Sequence, residues 1–339
     1  MSSRRKPTLA DIARESGLSI ATVSRAMSQP GLVQPETLER IRAVAAELGY
    51  VPNRRARALV SGRSNTIGVV VPTLNSPVFS ATLQEMQKAF SVNGYQLLIA
   101  SHEYDTAAEA AALGQLISHG VDGLVVVGAD RPQSTWALIN TAEVPLVQLW
   151  EGREGFGRVL VDSFRAGYLV AKHLLDLGHR RIGVVCGKQR SNDRQAARVK
   201  GIHAAMAEQG LHLSPMHVSE QALTIAAGRS GCMTLLELVP RPTAIIGTVD
   251  MLAIGAMIEA QGRGIVVPDN MSFAGIDNVD VTAHLSPSLT TVDIPAANIG
   301  AEAAAMMLRD LSGTAPAQDQ SILLPIDLVV RHSTGRHRG

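Results

Sequence analysis

Cysteine is almost missing from this chain: Cys186 and Cys232 are the only two in 339 residues. One falls in an expected strand and the other in an expected helix, so the pair reads as free thiols in a reducing, cytoplasmic compartment. Long apolar runs are missing too. No stretch approaches about 18 apolar residues, and the basic N-terminus leads into an amphipathic pattern rather than an apolar signal core, which speaks against membrane spanning and secretion. The ten histidines show no HxxxH pair and no Cys/His ligand spacing, so no metal is expected. No G-x-G-x-x-G or G-x-x-x-x-G-K-[ST] occurs, so no nucleotide cofactor is expected, and Gly187-Lys188 after a strand carries no weight alone. Internal repeats and low-complexity tracts are likewise absent.

What is present is unevenly placed. The formal net charge is +1, yet residues 1–66 hold 11 Lys/Arg against 5 Asp/Glu, and residues 67–339 hold 20 against 25. A surface that seeks a polyanion is therefore confined to the N-terminus. With 46% hydrophobic residues, the chain can fill more than one core, and two or three domains are expected.

The segment TLADIARESGLSIATVSRAM, residues 8–27, sets Leu9, Ile12 and Ala13 on one helical face, breaks at Gly17, and restarts at Ser19 with Val23 and Met27 inward. That is helix-turn-helix spacing. Thr8 with Asp11, and Ser19, are expected N-caps. A helix entering the major groove needs short or hydrogen-bonding side chains at its start. Thr8, Ser19, Thr22 and Ser24 suit phosphates, while Ile20, Ala21 and Arg25 suit base edges, with Arg25 the natural guanine reader. A third helix is expected from Pro35, with Leu38, Ile41, Val44, Ala45 and Leu48 inward and Gly49 as stop. Next comes a basic segment, residues 53–59, NRRARAL. Isolated helices below roughly 12 residues are marginal in water, so it should wind only when packed on DNA beside a twin.

From residue 66 onward, apolar strands (67–71, 96–100, 123–127, 146–149, 182–186, 244–247, 272–275) alternate with helices (79–92, 107–119, 166–176, 194–208, 228–236, 251–261, 299–311), the signature of parallel α/β sheets. About ten strands exceed one comfortable sheet, which predicts two subdomains with a cleft between them. Asn75, Phe79, Trp150, Arg194, Arg198 and Asp277 fall where loops leave those sheets, the usual place for a ligand.

The first segment, with GYVPNRRARAL after it, resembles the headpiece and hinge of the LacI/GalR repressor family. SNTIGVVVP, LLDLGHRRIGVV, RVKG, PTAIIGTVDMLAIGAM, PDNMSFAGIDN and PSLTTVDIP are similar to family landmarks along nearly the whole chain. The resemblance implies an N-terminal all-α helix-turn-helix headpiece (1–52) and a hinge helix with linker (53–65). It also implies an α/β periplasmic-binding-protein-like core (66–339) of two doubly wound parallel-sheet subdomains, one about 66–161 with 294–325, the other about 162–293. The implied protein is a non-enzymatic homodimer on double-stranded operator DNA, controlled by a small metabolite in the cleft.

By the same resemblance, Asn53, Ala56 and Leu59 match hinge residues that meet the minor groove, Leu59 as the apolar wedge. Arg198 matches an effector-contacting arginine able to grip a carboxylate with two parallel bonds, and Asp277 matches a polyol-binding acid. Three positions depart from the pattern. Thr248-Val249-Asp250 stands where Asn commonly precedes the aspartate, and Gln34 replaces the usual cap before Pro35. Trp150, in PLVQLWE, stands where sugar-binding members often carry an acid, a wording similar to the gluconate repressor branch, and an indole face suits the apolar side of a polyol. Arg190 and Arg194 add positive charge, so gluconate, a related sugar acid or its phosphate is expected over a neutral sugar. The alternatives are a regulator using a neutral sugar or nucleobase as corepressor, a solute-binding protein, which needs export, and an α/β enzyme, which needs an acid/base set. The C-terminal RHSTGRHRG lacks a leucine heptad, favouring a dimer over a tetramer.

Overall fold

A computed structural model of the chain describes residues 7–28, 30–50, 62–314 and 320–337. Asn53, Ala56 and Leu59 lie outside the described residues. Two compact units result, Met1–Asn65 and Thr66–Gly339.

In the first unit, α1 (Leu9–Ser16), α2 (Ile20–Ser28) and α3 (Pro35–Glu47) bury Ile12, Ala13, Val23, Ala26, Ile41 and Ala45 together. Thr8 opens α1 with a reciprocal cap: its hydroxyl accepts from Asp11 N–H and its own N–H donates to Asp11 Oδ2 at 2.9 Å. Gly17 ends the helix at φ 66, where a side chain would be strained, and Leu18 N–H closes onto the Ala13 carbonyl at 3.1 Å. Pro35 starts α3 although Gln34 makes no side-chain cap, because its fixed φ already suits a first helical residue.

The second unit contains two six-stranded sheets. The first is assembled from β1 (Thr66–Val71), α4 (Pro77–Val92), β2 (Gln96–Ser101), α5 (Thr106–Ser118), β3 (Gly123–Val127), α6 (Gln133–Thr141), β4 (Leu146–Trp150) and β5 (Gly157–Val161). The chain then crosses into α7 (Ser163–Asp176), β6 (Ile182–Gly187), α8 (Asp193–Glu208), β7 (Val218–Gln221), α9 (Ile225–Leu236), β8 (Ala244–Gly247), α10 (Asp250–Gly262), β9 (Ser272–Asp277) and β10 (Thr290–Asp293). It returns through α11 (Ala296–Leu311) and β11 (Ser321–Leu324), then crosses once more to β12 (Asp327–Val329).

The sheet orders are β11-β5-β4-β3-β1-β2, all parallel, and β12-β10-β9-β8-β6-β7, parallel except for β12 on β10. Central strands β3, β4, β6 and β9 are buried on both faces, as helices on both sides of a parallel sheet require. The strand order reverses beside β1 in one sheet and beside β6 in the other, and such reversals open a crevice at the carboxyl ends of the strands.

Several elements carry too weak a signal to be read from sequence. β7 (VSEQ) and β11 (SILL) are short and part-exposed, and β5, β10, β12 and α6 also escape pattern reading. Helix starts fall one to three residues earlier than periodicity suggests, and polar caps extend several of them. Asp162 accepts from Arg165 N–H, so α7 begins at Ser163, and Thr224 accepts from Ala227 N–H, so α9 begins at Ile225.

The landmark His179 is a structural knot. Its ring meets Thr243 Oγ1 and Ser272 Oγ at 3.0 Å and the Gly335 carbonyl at 3.1 Å, fastening the C-terminal segment to the second sheet. Burial holds its pKa down to about 4, against 6.5 ordinarily, so the ring is neutral in the fold. As pH falls from 6.5 toward 4, the unfolded chain takes up a proton that the folded chain refuses, and stability is lost across that window. A thermal melt should drop by roughly 5 °C between pH 7 and pH 4.5 from this group, and His179→Gln should flatten that part of the profile.

Candidate functional site

The loops at the carboxyl ends of both sheets enclose a cavity of about 370 Å³. Asn75 and Phe79 reach it from the loop after β1 and the start of α4, Trp150 from the end of β4, Arg194 and Arg198 from the first turns of α8, and Asp277 from the end of β9. All six sequence-read residues thus meet in one place. Strained backbone gathers there as well. Glu103 (φ 47), Tyr104 (φ 63), Trp150 (φ 65) and Asp277 (φ 135) all line the cavity, and Ser191 (φ 59) and Asn278 (φ 55) adjoin it. Such conformations cost free energy and persist where surrounding structure imposes them, commonly at ligand clamps.

Trp150 is 1% exposed and meets Phe79 edge-on, ring centroids 5.0 Å apart, so the two rings form a rigid apolar wall. The same cavity is lined by a buried ionic pair. Arg198 Nη2 donates to Asp277 Oδ1 at 3.2 Å and Nη1 donates to the Thr248 carbonyl, while the buried Nε has no partner among the described residues. Its guanidinium is therefore already engaged by the protein, which differs from the open fork expected for a ligand carboxylate. Burial raises the pKa of Asp277 even beside Arg198, and raises that of Asp250, which Asp277 opposes electrostatically.

Asp250 orders the Asp277 turn from behind. It accepts from Val279 N–H at 2.9 Å and Thr291 Oγ1 at 2.6 Å, and a Cβ on Gly275 would lie 2.2 Å from its Oδ1. Val249, which stands where Asn commonly precedes the aspartate, lines the cavity, and Thr248 beside it serves as scaffold: its hydroxyl donates to Gln195 Oε1, which also accepts from Gly187 N–H at 2.8 Å.

Arg194 lies in the first turn of α8, four residues beyond Arg190. Its Nη1 donates to Asp193 Oδ1 at 3.0 Å, and Asp193 Oδ2 accepts from Ala129 N–H at 2.6 Å and Asp130 N–H at 3.2 Å. One carboxylate therefore ties the loop after β3 of the first sheet to the helix after β6 of the second. Sequence reasoning missed this link, and it missed Tyr104, Gln195 and Lys188 in the lining. The available signal for Lys188 was its place directly after the switch-point strand β6.

In the first unit, Ser19, Ile20, Ala21, Ser24 and Arg25 are exposed along one side of α2, and Thr22 is half-buried. Ile20 is 55% exposed, an apolar side chain left toward solvent at the start of the helix. Thr22 N–H donates to Ser19 Oγ at 3.0 Å, and Thr8 Oγ1 donates to Asp11 at 2.7 Å, so Ser19 and Thr8 act as caps. Among the described residues no helix is long and apolar enough to cross a membrane, and no cluster of three metal-ligating side chains occurs.

The sequence matches bacterial regulatory proteins of the lacI family over residues 8–53 and a periplasmic binding protein-like domain over residues 171–334. It is 34% identical to the HTH-type transcriptional regulator DegA of Bacillus subtilis over 97% of this chain and 98% of that protein. A LacI-family transcriptional regulator from Silicibacter pomeroyi superposes with a TM-score of 0.88 at 28% identity, over 97% of this chain and 100% of the other. The lac repressor dimer bound to operator and the anti-inducer ONPF gives 0.84 at 26% identity, over 98% and 100%. None of these names points to a sugar acid.

Proposed function

The chain belongs to the LacI family of bacterial regulatory proteins, a DNA-binding transcriptional repressor with a ligand-binding core, and on that premise we propose that it represses sugar-acid catabolic genes, with gluconate as the type ligand. The observation that carries the effector class is the cavity lining: the Trp150 wall for the carbon chain, Asp277, held by Arg198, for hydroxyls, and Lys188, Arg190 and Arg194 for the acid. Calorimetry with gluconate, glucose and a nucleoside tests it. Heat from glucose or the nucleoside alone would replace the sugar acid with a neutral ligand.

The acting species is a homodimer. The edge strand β2 supports this, since Leu98 and Ile99 are 37% and 40% exposed on a strand whose outer side pairs with no other strand among the described residues. Two copies of α2 then enter successive major grooves of a palindrome, with the paired residues 53–59 at the minor groove between them and Leu59 as wedge. Ligand alters operator grip only as far as it binds the two states of the core unequally.

Operator titration checks the DNA contacts. Arg25→Ala is expected to weaken binding about ten- to a hundredfold and relax preference at one base pair, and Leu59→Ala to weaken it comparably. Affinity should also fall steeply with salt. Parent-like binding in both variants would overturn this reading of α2 and the hinge.

A further inference from the structure

Four cations line the cavity against two carboxylates, Glu103 and Asp277. Two of the cations have acidic partners, Arg194 with Asp193 at 3.0 Å and Arg198 with Asp277 at 3.2 Å. The other two, Lys188 and Arg190, sit exposed on the loop between β6 and α8, and neither has an ion pair or side-chain hydrogen bond among the described residues. Ser191, held at φ 59, fixes the turn that follows them. Thr224 shares the lining, placing the start of the twelve-residue helix α9 on the same cavity, and the first N–H groups of a helix have no acceptor within it. Lys188 and Arg190 together carry two positive charges that no acidic side chain among the described residues pairs, and a phosphate ester brings about 1.5 to 2 negative charges to one place.

We propose that the effector carries a second anionic group, a phosphate ester or second carboxylate, seated between Lys188 and Arg190 at the end of β6, two strands from Asp277 at the end of β9. This rests on the sugar-acid reading and makes it more specific. Asp277 and Trp150 hold the polyol segment, Arg194 lies nearest the first acid group, and the 188–190 loop selects ligands charged at both ends. Neither side chain has to give up a hydrogen bond or ion pair to meet a ligand, while Gln189 between them anchors the loop, its Nε2 donating to Glu220 Oε1 at 2.9 Å.

Calorimetry on the full chain tests the seat with gluconate, 6-phosphogluconate, glucarate, glucose and glucose 6-phosphate, against parent and the K188A/R190A double variant. Both side chains are exposed, and matching unfolding midpoints will show that the variant folds. The doubly charged acids are expected to bind the parent at least tenfold tighter than gluconate, and the double variant to narrow that ratio to about twofold. Equal affinities in the parent, or a ratio that survives in the variant, would overturn the second seat while leaving the sugar-acid reading standing. Binding of glucose 6-phosphate that the variant loses, with no heat from any acid, would uphold the seat and defeat the sugar-acid reading. Silence from every charged ligand would remove both.

Discussion

Replacing Arg198 with methionine is expected to lower effector affinity at least about a hundredfold and to leave operator binding unresponsive to ligand. The size follows from where the guanidinium sits. Arg198 is 4% exposed and bridges the Thr248 carbonyl after β8 to Asp277 at the end of β9. Removing one partner of such a buried pair costs about 3–5 kcal/mol, because the remaining charge stays desolvated and alone. Asp277, whose pKa burial already raises, then holds its proton more tightly and stops accepting from ligand hydroxyls as an anion. Arg198→Lys retains the charge without the second bond and should fall between parent and methionine. The measurement is a ligand titration with gluconate and 6-phosphogluconate, followed by an operator titration with the ligand that binds. A methionine variant within threefold of the parent would show that the pair does not shape the site.

Gly201→Ala is expected to destabilise the second unit by about 3–5 kcal/mol, a large effect for one methyl group. Helices α7 and α8 cross in backbone contact. A Cβ on Gly201 would lie 1.9 Å from the Phe164 carbonyl oxygen, and one on Gly167 would lie 1.9 Å from that of Arg198. Neither neighbour is a flexible side-chain end, so the helices must separate. That separation also moves Arg198, three residues before Gly201, so ligand affinity should fall with stability. Gly262→Ala is the control, since nothing lies within 4 Å of its added Cβ, and alanine there should be neutral or stabilise by up to about 1 kcal/mol. Denaturant unfolding of both variants provides the comparison, and equal midpoints would refute the close crossing.

Much of this was legible in the chain. The capping box at Thr8, the break at Gly17 and the inward Val23 are local, depending on residues three or four positions apart, and sequence reading finds them for that reason. The seven long apolar strands were equally plain. Edge strands such as β7 and β11 were not, because a half-exposed strand of four residues has no periodicity to read. Within the cavity, loop-exit positions after strands identified Asn75, Phe79, Trp150, Arg194, Arg198 and Asp277. The same reasoning could not see that Arg198 is bound to Asp277, 79 residues away, or that Asp193 reaches the amides of Ala129 and Asp130.

The sequence by itself determined the helix-turn-helix spacing, the alternation of buried strands and helices, and the confinement of net positive charge to the first 66 residues, since each depends on neighbours along the chain. Tertiary structure alone decided which arginines are already paired and which cations stay open to a ligand. Hydrogen bonds and desolvation act over a few ångströms in space, and only folding brings the ends of β1, β4, β6, β8 and β9 within that range.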